Sequence, residues 1–231
     1  ASALGMDKAF SKQLFHAAGL PTCSYDVIMK TEISEDMDAV VSRIEAGFSY
    51  PVFVKPVNMG SSVGISKAHN REELISGLTE AARYDRKILI EEFINCRELE
   101  CSVLGNEKPI VSGVGEIIPS REFYDYEAKY FDDGKSVLII PAKLDAAKAQ
   151  EITEIARKAF IALDCCGMAR VDFFMEKETG KIYLNEINTI PGFTKISMYP
   201  KLWDAAGIGY GELIDRLIAL SIDMYNQKQG R

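Results

Sequence analysis

The sequence has little of what several classes of protein require. Its 231 residues include two histidines and one tryptophan, and 34 acidic residues outnumber 27 basic ones. The resulting net charge of −7 argues against a nucleic-acid binder held by bulk electrostatics. No apolar run has the length needed to span a bilayer. We therefore expect no nucleic-acid and no membrane partner, although local lysines could still attract a nucleotide.

The five cysteines form no pair of CxxC motifs, and two histidines are too few to suggest a zinc site. No Ser-His-Asp arrangement is indicated either. An odd number of cysteines without a disulfide framework fits a reducing environment, so we expect a cytoplasmic location.

The most informative pattern is a predicted hairpin. Two apolar runs alternate with a period of two on either side of a Glu-Thr-Gly loop at 178–180. A three-residue loop that ends in Gly suits a type I turn with a bulge. This register places Asp172 opposite Glu186 and Arg170 opposite Asn188, all on one face of the sheet.

This polar set is typical of a hard-cation site. Like charges directly opposite each other destabilise a bare sheet, but two carboxylates and an amide oxygen suit Mg²⁺, with nucleotide phosphates completing the octahedron. Phe174, Leu184 and Ile182 are expected to share the face and give the polar set an apolar floor, as in a cleft. The alternative is a polar strand face whose carboxylates are solvated.

A second motif follows a predicted buried strand at 51–54. Lys55 begins the segment KPVNMGSSVG, which ends at Gly64. Glycines let backbone N–H groups approach an anion, serines add donors, and the lysine supplies a point charge for a phosphate. The segment lacks the Walker A spacing, and a plain hairpin loop is the alternative.

Two further segments point to the same ligand class. The segment 88–94 runs from a predicted strand into the lobe junction, where its backbone edge could contact an adenine, and Glu98 could accept hydrogen bonds from ribose hydroxyls. The polar, aromatic segment 124–130 could act as a lid that carries Lys129 to a phosphate. The alternative for the first segment is a strand with solvated acidic side chains, and the alternative for the second is a solvated loop.

The order of patterns predicts an α+β fold in two lobes with a cleft between them. The first lobe, residues 1–95, has helices near 6–18, 37–47 and 70–83 and strands near 25–29, 51–54, 63–67 and 88–92. The second lobe, residues 96–231, has strands near 98–104 and 137–140, a helix near 152–163, the hairpin, and a last helix near 213–224.

In this order, the motifs resemble the D-alanine–D-alanine ligases of the ATP-grasp superfamily. The resemblance spans the chain and rests on SALGMDK at 2–8, the segment 55–64, FYDYEAKY at 123–130, GMARVD at 167–172 and NEINTIPGFT at 185–194. It implies the ATP-grasp fold, in which two α/β lobes hold ATP between them.

The resemblance also implies a role for each matching residue. For ATP, Lys8 and Lys55 would hold phosphates, Lys129 would reach the γ-phosphate, and Glu91, Phe93, Ile94, Phe174 and Glu98 would contact adenosine. For metal, Asp172, Glu186 and Asn188 would bind two Mg²⁺ ions, or Mn²⁺ in their place. For catalysis, Arg170 and the Gly192 N–H would stabilise an oxyanion, and Ser61 and Tyr130 would form a hydrogen-bonded link that closes the lid. For substrate, Ser197 and the Met198 backbone would bind a D-alanine carboxylate.

The implied reaction is the ATP-dependent joining of two D-alanines for peptidoglycan precursor synthesis. An acyl phosphate forms first, and the second amine then displaces phosphate behind a closed lid. Family members carry a further N-terminal domain that helps to bind the first D-alanine. We expect this chain to lack that partner domain, to retain nucleotide affinity and to have little turnover alone, and the full-length parent to be a homodimer.

Three alternatives stay open. The first is a sibling ligase that joins D-alanine to D-lactate or D-serine, although those relatives tend to carry Arg at the position of Met198. The second is a nucleotide-binding module without ligase activity. The third is a carboxylate–amine ligase with a different first substrate.

Overall fold

The structure, a computed structural model, describes residues 1–118 and 137–230. The helices in those ranges are α1 (Ser2–Met6), α2 (Lys8–Ala17), α3 (Lys30–Glu35), α4 (Met37–Gly47), α5 (Arg71–Tyr84), α6 (Ala146–Ala162), α7 (Met198–Ala205) and α8 (Tyr210–Lys228). The strands are β1 (Tyr25–Met29), β2 (Val52–Pro56), β3 (Ser66–Ala68), β4 (Lys87–Glu92), β5 (Cys96–Gly105), β6 (Ile110–Ile118), β7 (Val137–Ile139), β8 (Gly167–Glu176) and β9 (Ile182–Asn188). The predicted lid at 123–130, with Lys129 and Tyr130, lies outside the described residues.

The first sheet is antiparallel with strand order β1-β4-β2-β3, and the predicted β2–β3 hairpin is confirmed. Side chains alternate between its faces. One face carries Val54 and Ile90, which pack with Ile44 and Leu78 of the covering helices α4 and α5. The opposite face therefore carries the intervening residues of β2 and β4, among them Lys55.

The second sheet is antiparallel with strand order β7-β6-β5-β8-β9. Helix α6 covers one face, where Ile152 and Phe160 pack with Val171 and Phe173. The other face carries the alternate residues of β8. Helix α7 covers this face over β6, where Leu202 packs, and over β5, where Tyr199 packs with Leu104. The part of the face along β8 and β9 that α7 leaves uncovered carries polar side chains.

Helix α2 packs against both sheets. Ala9 lies with Val57 and Leu89 on the first sheet, while Phe15 belongs to the core beneath the second sheet. The α+β class is confirmed. The predicted lobe boundary at residue 95 falls between β4 and β5 and stays a prediction.

Asp7 determines where α2 begins. Its Oδ1 accepts hydrogen bonds from the backbone N–H groups of Ala9 at 3.1 Å and Phe10 at 3.0 Å, as an N-cap does. Asp7 also pairs with Lys87 of β4. The cap separates α2 from α1, so the predicted helix 6–18 begins two residues later, with Lys8 at the first position of α2 beside the first sheet.

Among the helices of the described ranges, none has both the length and the apolar character that crossing a bilayer requires.

Candidate functional site

Strands β8 and β9 bring the predicted polar residues together on one face. Arg170 pairs with Asn188 and Asp172 pairs with Glu186, as the sequence predicted. On the other side of β8, Glu100 of β5 lies opposite Asp172. Three carboxylates therefore lie in one row across β5, β8 and β9, which we call the carboxylate row (Glu100, Asp172 and Glu186).

The predicted loop of this hairpin was wrong. The Glu176 N–H donates to the Lys181 carbonyl at 2.9 Å, and the Gly180 N–H donates to the Glu176 carbonyl at 2.9 Å. The loop therefore has four residues, 177–180. Gly180 adopts a left-handed φ of 70°, a conformation that glycine tolerates without strain.

The predicted apolar floor of the site was also partly wrong. The register of β8 and β9 shifts by one residue, and the extra residue of the β-bulge is Asn185. A one-residue shift moves side chains to the other face. Leu184 and Ile182 consequently lie in the core beneath the sheet, and Tyr183 instead lies opposite Phe174.

Arg170 holds the carboxylate row in place. Its Nε and Nη2 each donate to an oxygen of Asp172 at 2.7 Å, and its Nε lies 3.1 Å from Glu100 Oε2. Burial opposes its charge, but the charges of Asp172 and Glu100 raise the pKa of Arg170 well above its ordinary value. Asn188 Nδ2 also donates to Asp172 at 3.0 Å. Both Asp172 oxygens thus have donors.

Lys8 connects the carboxylate row to the loop after β2 at residues 57–64, which we call the Gly-rich loop. Its Nζ donates to the Met59 carbonyl at 2.8 Å and lies 3.8 Å from Glu186 Oε2. The motif 2–8 and the motif 185–194 are far apart in sequence, yet this lysine places them at one site with the loop after β2. The predicted phosphate-binding and metal-binding residues are therefore neighbours.

The Gly-rich loop contains three residues with backbone dihedrals in the left-handed region. Ser61, Ser62 and Gly64 have φ values of 53°, 60° and 70°. The base of the loop is anchored because the N–H and the Nδ2 of Asn58 both donate to Asp85 Oδ2, at 2.7 and 2.8 Å. The predicted partner of Ser61, Tyr130, lies outside the described residues.

Lys55 lies at a buried ion cluster on the first sheet. Its ammonium pairs with Glu91, which also lies 2.6 Å from Lys12 Nζ. The Sγ of Cys23 lies 3.5 Å from both Lys12 Nζ and Glu91 Oε1. Because these groups enclose the Glu91 carboxylate, any contact of Glu91 with an adenosine would come from its backbone.

The other predicted adenosine contacts lie along the junction of the two sheets. Phe93 and Ile94 occupy the link between β4 and β5, and Phe93 is 6.2 Å from Phe53, centroid to centroid. Glu98 of β5 lies opposite Phe174 of β8. Phe93 and Ile94 therefore lie at the end of the first sheet, while Glu98 and Phe174 lie on the polar face of the second sheet.

The predicted substrate residues lie at the start of α7. Ser197 Oγ accepts from the Thr194 N–H at 3.1 Å, and a Cβ on Gly192 would lie 2.9 Å from that Oγ. Gly192 therefore lies directly against Ser197. The Met198 side chain is buried with Ile117, which leaves its backbone as the part that could contact a ligand.

The predicted metal ligands have suitable chemistry. Among the described residues, no group of three or more His, Cys, Asp or Glu side chains is arranged to hold a metal ion. The predicted set is of a different kind, with the two carboxylates of Asp172 and Glu186 and the amide oxygen of Asn188. Such oxygen ligands, completed by phosphates, suit Mg²⁺, so the metal site stays a prediction.

Sequence reasoning missed two residues of this site. Glu100 had a signal, since it shares the alternation of Glu98 along β5 and faces β8. Lys12 had a weaker signal, because its helical spacing from Ala9 and Phe15 puts a lysine on the apolar side of α2.

Comparisons with known proteins agree with the motif resemblance. A family model described as "D-ala D-ala ligase C-terminus" matches residues 14–219. A D-alanine–D-alanine ligase of Acetivibrio thermocellus is 59% identical over 226 residues, covering 98% of this chain and 60% of the relative. One of Thermoanaerobacter sp. is 59% identical over 227 residues, covering 98% of this chain and 63% of the relative.

Solved structures give the same result. The D-alanine–D-alanine ligase of Coxiella burnetii superposes with a TM-score of 0.85 at 35% identity, covering 99% of this chain and 60% of that one. The VanG D-Ala:D-Ser ligase of Enterococcus faecalis gives 0.84 at 38% identity, covering 94% of this chain and 62% of that one. The chain spans about 60% of these relatives' length. The predicted ATP-grasp fold and family are confirmed, and the chain belongs to the family of D-alanine–D-alanine ligase C-terminal regions.

Proposed function

We propose that this chain supplies the ATP- and Mg²⁺-binding machinery of a ligase that joins two D-alanines into D-alanyl-D-alanine for peptidoglycan precursor synthesis. One observation carries the proposal. Lys8 touches the Gly-rich loop through Met59 and also lies beside Glu186 of the carboxylate row. Cationic and anionic groups thus meet where a metal–triphosphate would need both.

The residues divide into those that hold phosphate and those that act on the reacting carbonyl. Lys8 of α2 and Lys55 of β2 would hold the phosphates from the first lobe, with Lys129 of the lid at the γ-phosphate. When bound by Asp172, Glu186 and Asn188, Mg²⁺ would supply charge neutralisation at the phosphates. Positioning and charge stabilisation account for most catalysis of phosphoryl transfer.

The proposed reaction has two steps. A carboxylate oxygen of the first D-alanine attacks the γ-phosphorus, and ADP leaves. The amine of the second D-alanine, having lost a proton, then attacks the acyl carbon, and phosphate leaves. Arg170 and the Gly192 N–H would stabilise the tetrahedral oxyanion, while Ser61 and Tyr130 would help to close the lid against water. Arg170 is suited to this role because Asp172 and Glu100 fix its orientation.

The acceptor is the least constrained part of the proposal. The similarity to the VanG structure, a D-Ala:D-Ser ligase, makes D-serine the second candidate. The uncharged, buried Met198 beside Ser197 favours D-alanine, which would be bound through its carboxylate by Ser197 and the Met198 backbone. Mass spectrometry of the products formed by the full-length enzyme from D-alanine, D-serine and D-lactate in competition would separate these candidates.

We extend the proposal to organisation and location. Residues 1–95 and 96–231 would form the two lobes that close on ATP, which the two separate sheets support. A reducing cytoplasm, an N-terminal partner domain in the same protein and a homodimer of the full-length enzyme complete the proposal. Sedimentation of the full-length enzyme would test the dimer.

Calorimetry with a non-hydrolysable ATP analogue tests the nucleotide and metal part. We expect the chain to bind the analogue with Mg²⁺, and Glu186→Gln to lose about tenfold or more of that affinity, equivalent to about 1.4 kcal/mol per tenfold. Glu178→Gln is the matched control, because it removes the same charge from an exposed position in the hairpin loop. No binding by the unchanged chain, or equal binding by both variants, would contradict the proposal.

A further inference from the structure

Lys12 has a place in the ion cluster of the first sheet that the proposed phosphate-binding roles do not explain. Its Nζ lies 2.6 Å from Glu91 Oε1, while Lys55 pairs with Oε2 of the same carboxylate. Only 2% of the Lys12 side chain is exposed, compared with 10% of Lys55. Lys55 therefore forms the accessible side of the cluster, and Lys12 lies behind it.

The charge balance of the cluster gives Lys12 its importance. A lone Lys55–Glu91 pair would be neutral. A buried carboxylate in direct contact with the Lys55 ammonium would cancel most of that ammonium's attraction for a phosphate. With Lys12 on the second oxygen, two ammonium groups share one carboxylate. The cluster keeps one net positive charge, and its accessible end is the Lys55 ammonium.

We propose that Lys12 is a positioning residue that binds Glu91 from behind, so that Lys55 presents an uncancelled positive charge to a nucleotide phosphate. The inference rests on the proposed function, because it assumes that Lys55 faces the nucleotide. Lys12 acts only through Glu91 and Lys55 and makes no contact with the ligand.

The protonation states of the cluster support this balance. Burial alone would lower the pKa of Lys12, but Glu91 and Cys23 raise it above its ordinary value. Burial alone would raise the pKa of Glu91, but the two lysines hold it below its ordinary value. The two groups therefore remain charged at neutral pH, although only 2% of each side chain is exposed.

The first test compares a ligand that carries phosphates with one that does not. In Lys12→Met, we expect affinity for a non-hydrolysable ATP analogue to fall about tenfold or more, while affinity for adenosine changes less than about threefold. Lys158→Met is the matched control, since it removes the same charge from an exposed position of α6 beneath the second sheet. The control should bind both ligands as the unchanged chain does.

In two more variants, the ratio of ATP-analogue affinity to adenosine affinity should be kept or restored, whereas it should fall in Lys12→Met. Glu91→Gln leaves both ammonium groups, so the ratio of ATP-analogue affinity to adenosine affinity should not fall. Lys12→Met combined with Glu91→Gln restores one net positive charge, so that ratio should return to within about threefold of the unchanged chain. Thermal unfolding identifies which variants are folded, and each folded variant is a separate test.

The outcomes separate the two proposals. If the unchanged chain binds neither ligand, the proposed function fails. If it binds the ATP analogue but Lys12→Met weakens both ligands equally, Lys12 has a structural role only and the inference is overturned. A double variant with an affinity ratio lower than that of Lys12→Met would overturn it as well.

Discussion

Replacing Arg170 with Met tests whether one cation holds the carboxylate row together. The substitution removes two 2.7 Å hydrogen bonds to Asp172 and the 3.1 Å contact with Glu100. Met keeps a long, unbranched side chain, so the packing changes little. Only 8% of the Glu100 side chain is exposed, compared with 13% for Asp172, so the main cost is a buried carboxylate that has lost its cation.

Removing one partner of a buried ion pair costs about 3–5 kcal/mol. We expect Arg170→Met to lower the free energy of unfolding by about that amount in urea titrations at pH 7, with an unchanged m-value. Adding Glu100→Gln should recover about 1–3 kcal/mol, because it removes the uncompensated charge. Arg216→Met, which breaks an exposed pair with Glu212, is the control and should cost only about 0.3–0.5 kcal/mol.

A loss below about 1 kcal/mol for Arg170→Met would refute the reasoning, because the value would match an exposed pair rather than a buried one. The reasoning would also fail if Glu100→Gln destabilised the Arg170→Met variant further. In that case Glu100 would be stabilised chiefly by groups other than Arg170.

Three further predictions follow from the same geometry. Gly64→Ala should lower the free energy of unfolding by about 1–2 kcal/mol in thermal unfolding, because φ at this position is +70° and the new Cβ would lie 2.6 Å from Tyr84. Gly60→Ala is the control and should cost less, since a Cβ there would have no neighbour within 4 Å. Equal losses in the two variants would contradict this reasoning. Because the folded-state pKa of Glu91 lies below its ordinary value of 4.5, its contribution to the free energy of unfolding is complete above about that pH and is lost as the pH falls further. Glu91→Gln should therefore have a flatter acid limb in unfolding measured against pH, and an unchanged limb would argue against a charged Glu91. Deleting Asn185 should change affinity for the ATP analogue by less than about threefold, because removal of the bulge residue joins the two parts of β9 into one regular ladder in which Glu186 still lies opposite Asp172; loss of binding would show that the pairing of Asp172 with Glu186 is not sufficient to set the site.

The register of the predicted metal-binding residues could be derived from the sequence, although two details behind it were wrong. A three-residue loop without a bulge and a four-residue loop with one extra residue in β9 produce the same pairing beyond the bulge. Asp172 therefore faces Glu186 in both cases. Only the residues between the loop and Asn185 reveal the error, and Leu184 is the clearest of them.

Other elements were missed because their local signals are weak. Strand β6 contains Gly113 and Gly115, which have low strand propensity, and it is stabilised by pairing with β5 and β7 on either side. Helix α3 has six mostly polar residues and no apolar stripe. Tertiary contacts, rather than local sequence, determine both elements.

The contacts of single polar residues were the least predictable part of the site. The position of Lys12 on the apolar side of α2 is visible in the sequence, but its partner Glu91 is in a strand far along the chain. Likewise, nothing local connects Lys8 with Met59. Such pairings depend on how α2 packs between the two sheets, which hydrophobic periodicity does not specify.

The central claim is that Asp172 and Glu186 bind the metal that accompanies the nucleotide. The most direct measurement is a crystal structure of the chain with Mn²⁺ and a non-hydrolysable ATP analogue, with the metal located by its anomalous signal. We predict Mn²⁺ about 2 Å from oxygens of both carboxylates, with Lys8 and Lys55 at the phosphates. A bound nucleotide whose metal lies elsewhere, away from β8 and β9, would contradict the account.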